Sequence, residues 1–222
     1  MMGGFDWMPN EEESVTVSKI SLSLVLALLM VCIPSSAQEV FRDCPMEGDA
    51  KLPHVAALNR LKNRFTAPPV INPAITLQAI LAPGDDRTRW KVRDGAEVVG
   101  YVSDVKVGGV ETCNCHARRP DDRDTHIELV QDPMDGSAPR LIVEVTPRWR
   151  AIMAARGIDW RTDAIRRAFL GRWVRVTGWM LLDTEHLAQA ENTAPGQPGN
   201  WRGSCWEIHP VCGIEVVSRV TQ

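Results

Sequence analysis

The sequence offers little to a partner that seeks aromatic rings or positive charge. It has one tyrosine and four phenylalanines in 222 residues, and its formal net charge is −3. Single-stranded nucleic acid is held by stacking platforms in a basic groove, so the composition does not favour that partner. Familiar enzyme signatures are missing too. There is no phosphate-binding loop, no Gly-x-Gly-x-x-Gly turn, no His-Glu-x-x-His helix and no Gly-x-Ser-x-Gly elbow. No internal repeat is visible, and the one low-complexity stretch is 192–200, "NTAPGQPGN".

A membrane-length apolar run is also lacking. The longest, residues 20–33 (ISLSLVLALLMVCI), is shorter than the roughly twenty residues of a spanning helix. Lys19 precedes it, and Ser35 and Ala37 fit the small-residue positions of a cleavage site before Gln38. Residues 1–37 are therefore expected to be a signal peptide, with an uncleaved N-terminal anchor as the alternative and the chain's sole membrane contact. Asp6 and Glu11–Glu13 are acids where a signal has bases, which suggests a true start further along. Val31 before Cys32 argues against a lipoprotein. The expectation is export, to the periplasm or the extracellular space.

Cleavage removes four acids and one lysine, leaving a mature chain with no formal net charge. It keeps Cys44, Cys113, Cys115, Cys205 and Cys212. In an exported protein these are disulfide candidates, and an odd number leaves one thiol over. Residues 38–94 read as a lead-in packing on a main domain of 95–222. Apolar residues at 52, 55, 58, 61 and 65 predict an amphipathic helix. The prolines of "TAPPVINPA" predict an extended segment, and "ITLQAIL" is a short strand or helical turn.

From residue 96 the pattern is crisp: strands over 96–107, 124–130 and 140–146, a helix over 146–171, a strand over 172–182 and a last strand over 204–220, bent at Pro210. In 124–130, Thr125, Ile127 and Leu129 alternate with Asp124, His126 and Glu128, so one face points inward and the other outward. The β-β-β-α-β-β order, Gly100 inside the first strand and the terminal fifth strand resemble the OB-fold, a mainly β, five-stranded Greek-key barrel. The phrases "GYVSDVKV", "CNCH…RDTHIEL", "EVTPRW", "VRVTGW" and "WEIHPV" resemble exported bacterial proteins with an OB-like domain. A small β-sandwich is the rival fold.

That resemblance implies a binding face flanked by the first–second and fourth–fifth strand loops. Here these span 108–123 and 183–204, and both are long, as functional loops often are. The expected ligand residues are Arg118, Arg119, Asp124, His126, Glu128, Trp201, Arg202, Glu207 and His209, with Trp201 the exposed stacking candidate. The reading is a non-enzymatic module that holds an oligosaccharide, peptide or oligonucleotide, with an envelope protein as another possible partner. No cofactor is expected. The alternative is a metal-dependent hydrolase centred on His126 and His209, with zinc on Cys113, Cys115, His116, His126 and His209. Cys113-x-Cys115 is tighter than the usual Cys-x2-4-Cys knuckle. A disulfide from one of that pair to Cys44, Cys205 or Cys212 is therefore preferred, and Cys205 with Cys212 is a further pairing.

Overall fold

A computed structural model describes residues 40–137 and 139–218, so the signal or anchor segment lies outside the described residues. Five strands carry the fold: β1 (Gly95–Val107), β2 (Thr125–Val130), β3 (Leu141–Val145), β4 (Trp173–Leu182) and β5 (Trp206–Val216). They close into a barrel in the order β1-β2-β3-β5-β4, with β4 returning to β1. All pairings are antiparallel except β3 with β5, which is parallel. The protein is thus mainly β, a five-stranded OB-like barrel rather than a sandwich.

Closure depends on the length of β1. Its first half pairs with β4 through Tyr101, and its second half pairs with β2 from the same residue. Gly100 stands at this changeover. A Cβ there would meet Leu77 Cδ2 at 2.8 Å and Leu129 Cβ at 3.2 Å, so a side chain would collide with the lead-in and with the core. Alternation along the strands sends Val98, Ile127, Leu129, Leu141, Val143, Val176, Trp206 and Ile208 inward, where each is buried. Pro210 follows a cis peptide bond inside β5.

The lead-in supplies part of that core. Helix α1 (Pro53–Lys62) starts with proline in its first turn, where a missing N–H costs nothing. Helix α2 (Leu77–Leu81) is capped by Thr76, whose hydroxyl accepts from Ala79 N, and buries Leu77, Ile80 and Leu81. Arg64, just beyond α1, donates to the carbonyls of Met180 and His209 and so ties the lead-in to β4 and β5.

The single helix expected over 146–171 is two. Helix α3 (Pro147–Ala155) and helix α4 (Thr162–Phe169) are separated by Gly157, which has φ +78°. A left-handed residue after a helix terminates it, and here the Met153 carbonyl accepts from both Arg156 N and Ile158 N. The turn lets Trp160 and Ile165 reach the core that α3 enters through Trp149 and Met153. A continuous helix would carry one set away from the barrel. Arg150 secures the turn by donating to the carbonyls of Trp160, Asp121 and Arg123 and to Thr125 Oγ1.

Candidate functional site

The outward face of β2, β3 and β5 is where the charged residues gather. Register places His126 opposite Glu144 and, through the parallel pairing, Ile142 beside Glu207 and Val143 beside Ile208. His126 and Glu128 from β2, Asp124 just before it, Glu144 from β3, and Glu207 and His209 from β5 therefore share one surface. The alternation alone would leave that surface in water. Instead, α1 and the two long loops cover it. Asp124 is 3% exposed and His209 is 0% exposed.

Burying charges is costly unless they are paired, and nearly every one here has an opposite charge beside it. Glu144 sits between two imidazoles, with His126 Nδ1 at 2.9 Å and His209 Nδ1 at 3.3 Å. His209 Nδ1 also faces Glu207 Oε2 at 3.3 Å. Arg202 is buried and donates to Asp183 at 3.0 Å and to Glu207. Lys62 at the end of α1 donates to Glu111 at 2.8 Å.

These neighbours set the protonation states. Burial alone would lower the His126 pKa, but the flanking Glu128 and Glu144 carboxylates push it up to about 9. His209 is likewise raised despite its burial, by Glu207, Glu144 and Asp124. Burial pushes the Asp124 carboxyl up to about 7, with the His209 charge opposing. Burial would also raise Glu144, yet His126 and His209 hold it down at about 2. The His126 cation between the Glu128 and Glu144 carboxylates is thus the favoured state near neutrality.

Above this floor lies a cleft of about 150 Å³. Lys62 of α1, Glu111 of the β1–β2 loop, His126 and Glu144 of the strands, and Asp183, His186, Trp201 and Arg202 of the β4–β5 loop line it. Trp201 is half-buried, with its ring 5.6 Å from His126 and 5.0 Å from the Arg202 guanidinium. The same ring forms one wall of a more open groove with Lys106, Glu128, Arg140 and Asn200.

The sequence-predicted residues divide into two groups. Asp124, His126, Glu128, Glu207 and His209 meet on the barrel face, and Trp201 stands over it. Arg118 and Arg119 do not join them. Both are exposed on the far part of the 108–123 loop, and Arg119 faces Asp122 at 3.7 Å. Arg202 is not an exposed ligand-binding cation, because two carboxylates hold it inside.

Of the proposed zinc ligands Cys113, Cys115, His116, His126 and His209, two are elsewhere. Cys115 forms a disulfide with Cys44, and His116 is exposed and bonded to Asp49 at 2.7 Å. Both residues have positive φ, near 50°. That turn swings Cys115 toward the lead-in and leaves Cys113 buried beneath the loop. The disulfide matches the expected staple from the pair to Cys44. Cys205 and Cys212, the other expected pairing, are free thiols. Cys205 meets Thr193 Oγ1 and the His186 carbonyl inside the β4–β5 loop, whereas Cys212 lies near the carbonyls of Thr66 and Pro210.

Lys62, Glu111, Glu144, Asp183 and His186 were not singled out in the sequence. Glu144 carried a signal, as the one charged residue within "LIVEV". The others carried none, because a helix end and two loops place them. The chain matches no protein-family model, and no curated protein matches it in sequence.

Proposed function

We propose that the protein is an exported, non-enzymatic member of the OB-fold superfamily that holds an oligosaccharide across Trp201. Barrel order 1-2-3-5-4 with helices between the third and fourth strands supports the superfamily, which uses this face and these two loops for oligomeric ligands. The Cys44–Cys115 disulfide supports an oxidising compartment. Among the described residues no helix is long and apolar enough to cross a membrane.

The observation that carries the ligand reading is the position of Trp201 as the shared wall of the cleft and of the more open groove beside it. An aromatic ring flanked by fixed polar groups suits a ligand with apolar faces and many hydroxyls. The cleft mixes Lys62, Arg202 and His126 with Glu111, Glu144 and Asp183, a balance that supports a neutral ligand over a polyanion. Calorimetry of the purified protein against neutral hexasaccharides of several linkages should find a ligand. Trp201→Ala should weaken it at least tenfold, about 1.4 kcal/mol, with an unchanged melting temperature. Tighter binding of single-stranded oligonucleotides, or binding indifferent to Trp201→Ala, would refute the reading.

A metal-dependent hydrolase centred on His126 and His209 is the second reading, favoured by the way both rings meet on Glu144. Complete burial of His209 weighs against it, since a catalytic metal keeps a position open to water or substrate.

A further inference from the structure

The more open groove differs in charge from the cleft it adjoins. It encloses about 430 Å³ between Lys106 of β1, Glu128 of β2, Arg140 just before β3, and Asn200 and Trp201 of the β4–β5 loop. That volume is usual for a small-ligand site. Three cations converge on Glu128, the one acid in the lining. Lys106 Nζ donates to its Oε1 at 2.6 Å, Arg140 Nε lies 2.8 Å from its Oε2, and His126 Nε2 stands 3.6 Å from Oε1. His126 is offset from its other side by Glu144 at 2.9 Å. Lys106 and Arg140 against Glu128 alone then leave the lining with one positive charge in excess. The next acid, Asp104, stands outside the lining, exposed and 3.5 Å from Lys106, where solvent screens it.

Both cations keep donors to give. Among the described residues Arg140 has one charged partner, reached through Nε, and its Nη1 and Nη2 groups have no hydrogen-bond partner. Lys106 donates one side-chain hydrogen bond from an ammonium that carries three N–H groups.

We infer that this groove is a subsite for an acidic sugar, in which the ring of a uronic acid unit stacks on Trp201 and its carboxylate lies on the Nη1 and Nη2 edge of Arg140 beside Lys106. The planar guanidinium fork matches the two oxygens of a carboxylate. In a hexuronate the carboxyl carbon is bonded directly to the sugar ring, so a unit stacked on an indole holds its charge close to that indole. The cation is in place for it, since Lys106 Nζ lies 5.8 Å from the centre of the Trp201 ring. An excess of one charge suits one carboxylate, and the balanced cleft on the other side of Trp201 suits neutral neighbours. The ligand class is therefore a mainly neutral chain bearing an isolated uronate. This inference rests on Trp201 as the stacking wall.

The test titrates the untagged chain by calorimetry with hexasaccharides of several linkages. Each is prepared in three forms: neutral, with one unit oxidised to the uronate, and as the methyl ester of that uronate. The ester keeps the size and removes the charge. In at least one linkage the uronate should bind about fivefold tighter than its ester or better, and the preference should shrink with added salt. Arg140→Gln should erase the preference, and Arg140→Lys should restore part of it, because a point charge lacks the fork. Trp201→Ala should weaken all three forms. Equal binding of uronate and ester, or a preference that survives Arg140→Gln, overturns the subsite and leaves the reading of Trp201 standing. If no form binds in any linkage, the oligosaccharide reading falls and the subsite falls with it. Should Arg140→Gln fail to fold, Lys106→Gln carries the same test: loss of the preference supports the subsite, and its survival overturns it.

Discussion

Replacing Arg202 by methionine separates two interpretations of the β4–β5 loop. As an exposed ligand-binding residue, Arg202 would be dispensable for folding. In the structure its side chain is 1% exposed and is held by Asp183 and Glu207, themselves almost inaccessible. Methionine keeps most of the volume and removes the charge, so two buried carboxylates lose their common cation. Breaking a buried pair from one side costs about 3–5 kcal/mol. For a chain of this size that corresponds to a fall of roughly 8–16 °C in melting temperature at 4 kcal/mol. Urea unfolding followed by circular dichroism should show a lower midpoint with an unchanged slope. The cost should also depend on pH. Burial would raise the Asp183 pKa, but His186, Lys62 and Arg202 hold it far below the usual carboxylate range. A depressed carboxylate stabilises the fold above its unfolded value, about 3.9, and that stabilisation is lost as pH falls. Without Arg202 less of it exists to lose, so the gap between native protein and variant should narrow below about pH 4. A variant within 1 kcal/mol of the native protein at pH 7 would show that Asp183 and Glu207 are not held as a buried ion cluster.

Other perturbations probe the frame around the site. Replacing Cys44 and Cys115 by serine opens a link between residues 71 apart in sequence. Chain-entropy arguments put the loss at about 4 kcal/mol, and the melting temperature of the native protein should fall correspondingly under reductant. If the reduced protein melts with the oxidised one, the staple contributes nothing. Gly178→Ala would put a Cβ 2.3 Å from the Pro210 carbonyl oxygen and 2.6 Å from Ile208 Cγ2. Strand β4 must shift to relieve this, at a cost of about 1–3 kcal/mol or more, measurable as a lower denaturation midpoint. Arg150→Met should cost about 3 kcal/mol by taking the guanidinium donors from the Trp160, Asp121 and Arg123 carbonyls. Faster proteolysis within 119–125 would locate that damage, and unchanged cleavage there would refute it.

Strand alternation determined much of this protein without help from the rest of the chain. Thr125, Ile127 and Leu129 could bury one face of β2 only by leaving Asp124, His126 and Glu128 on the other. The apolar strands and Gly100 pointed in the same way to a five-stranded barrel, because periodicity is a local property of the chain. Whether the polar face met water was a different matter. Lys62 and Arg64 come from the lead-in, Glu111 and Cys113 from one loop, and Asp183 and Arg202 from another; only folding brings them over β2, β3 and β5. The stretch "CNCH" divided for the same reason. Left-handed backbone at Cys115 and His116 turned one sulfur to Cys44 and left the other beside Asp124. The break at Gly157 was equally tertiary, since the apolar spacing allowed one helix and the shape of the core required two. Sequence fixes which residues alternate, but long-range packing decides which charges are buried, and burial gives His209 and Asp124 their chemistry.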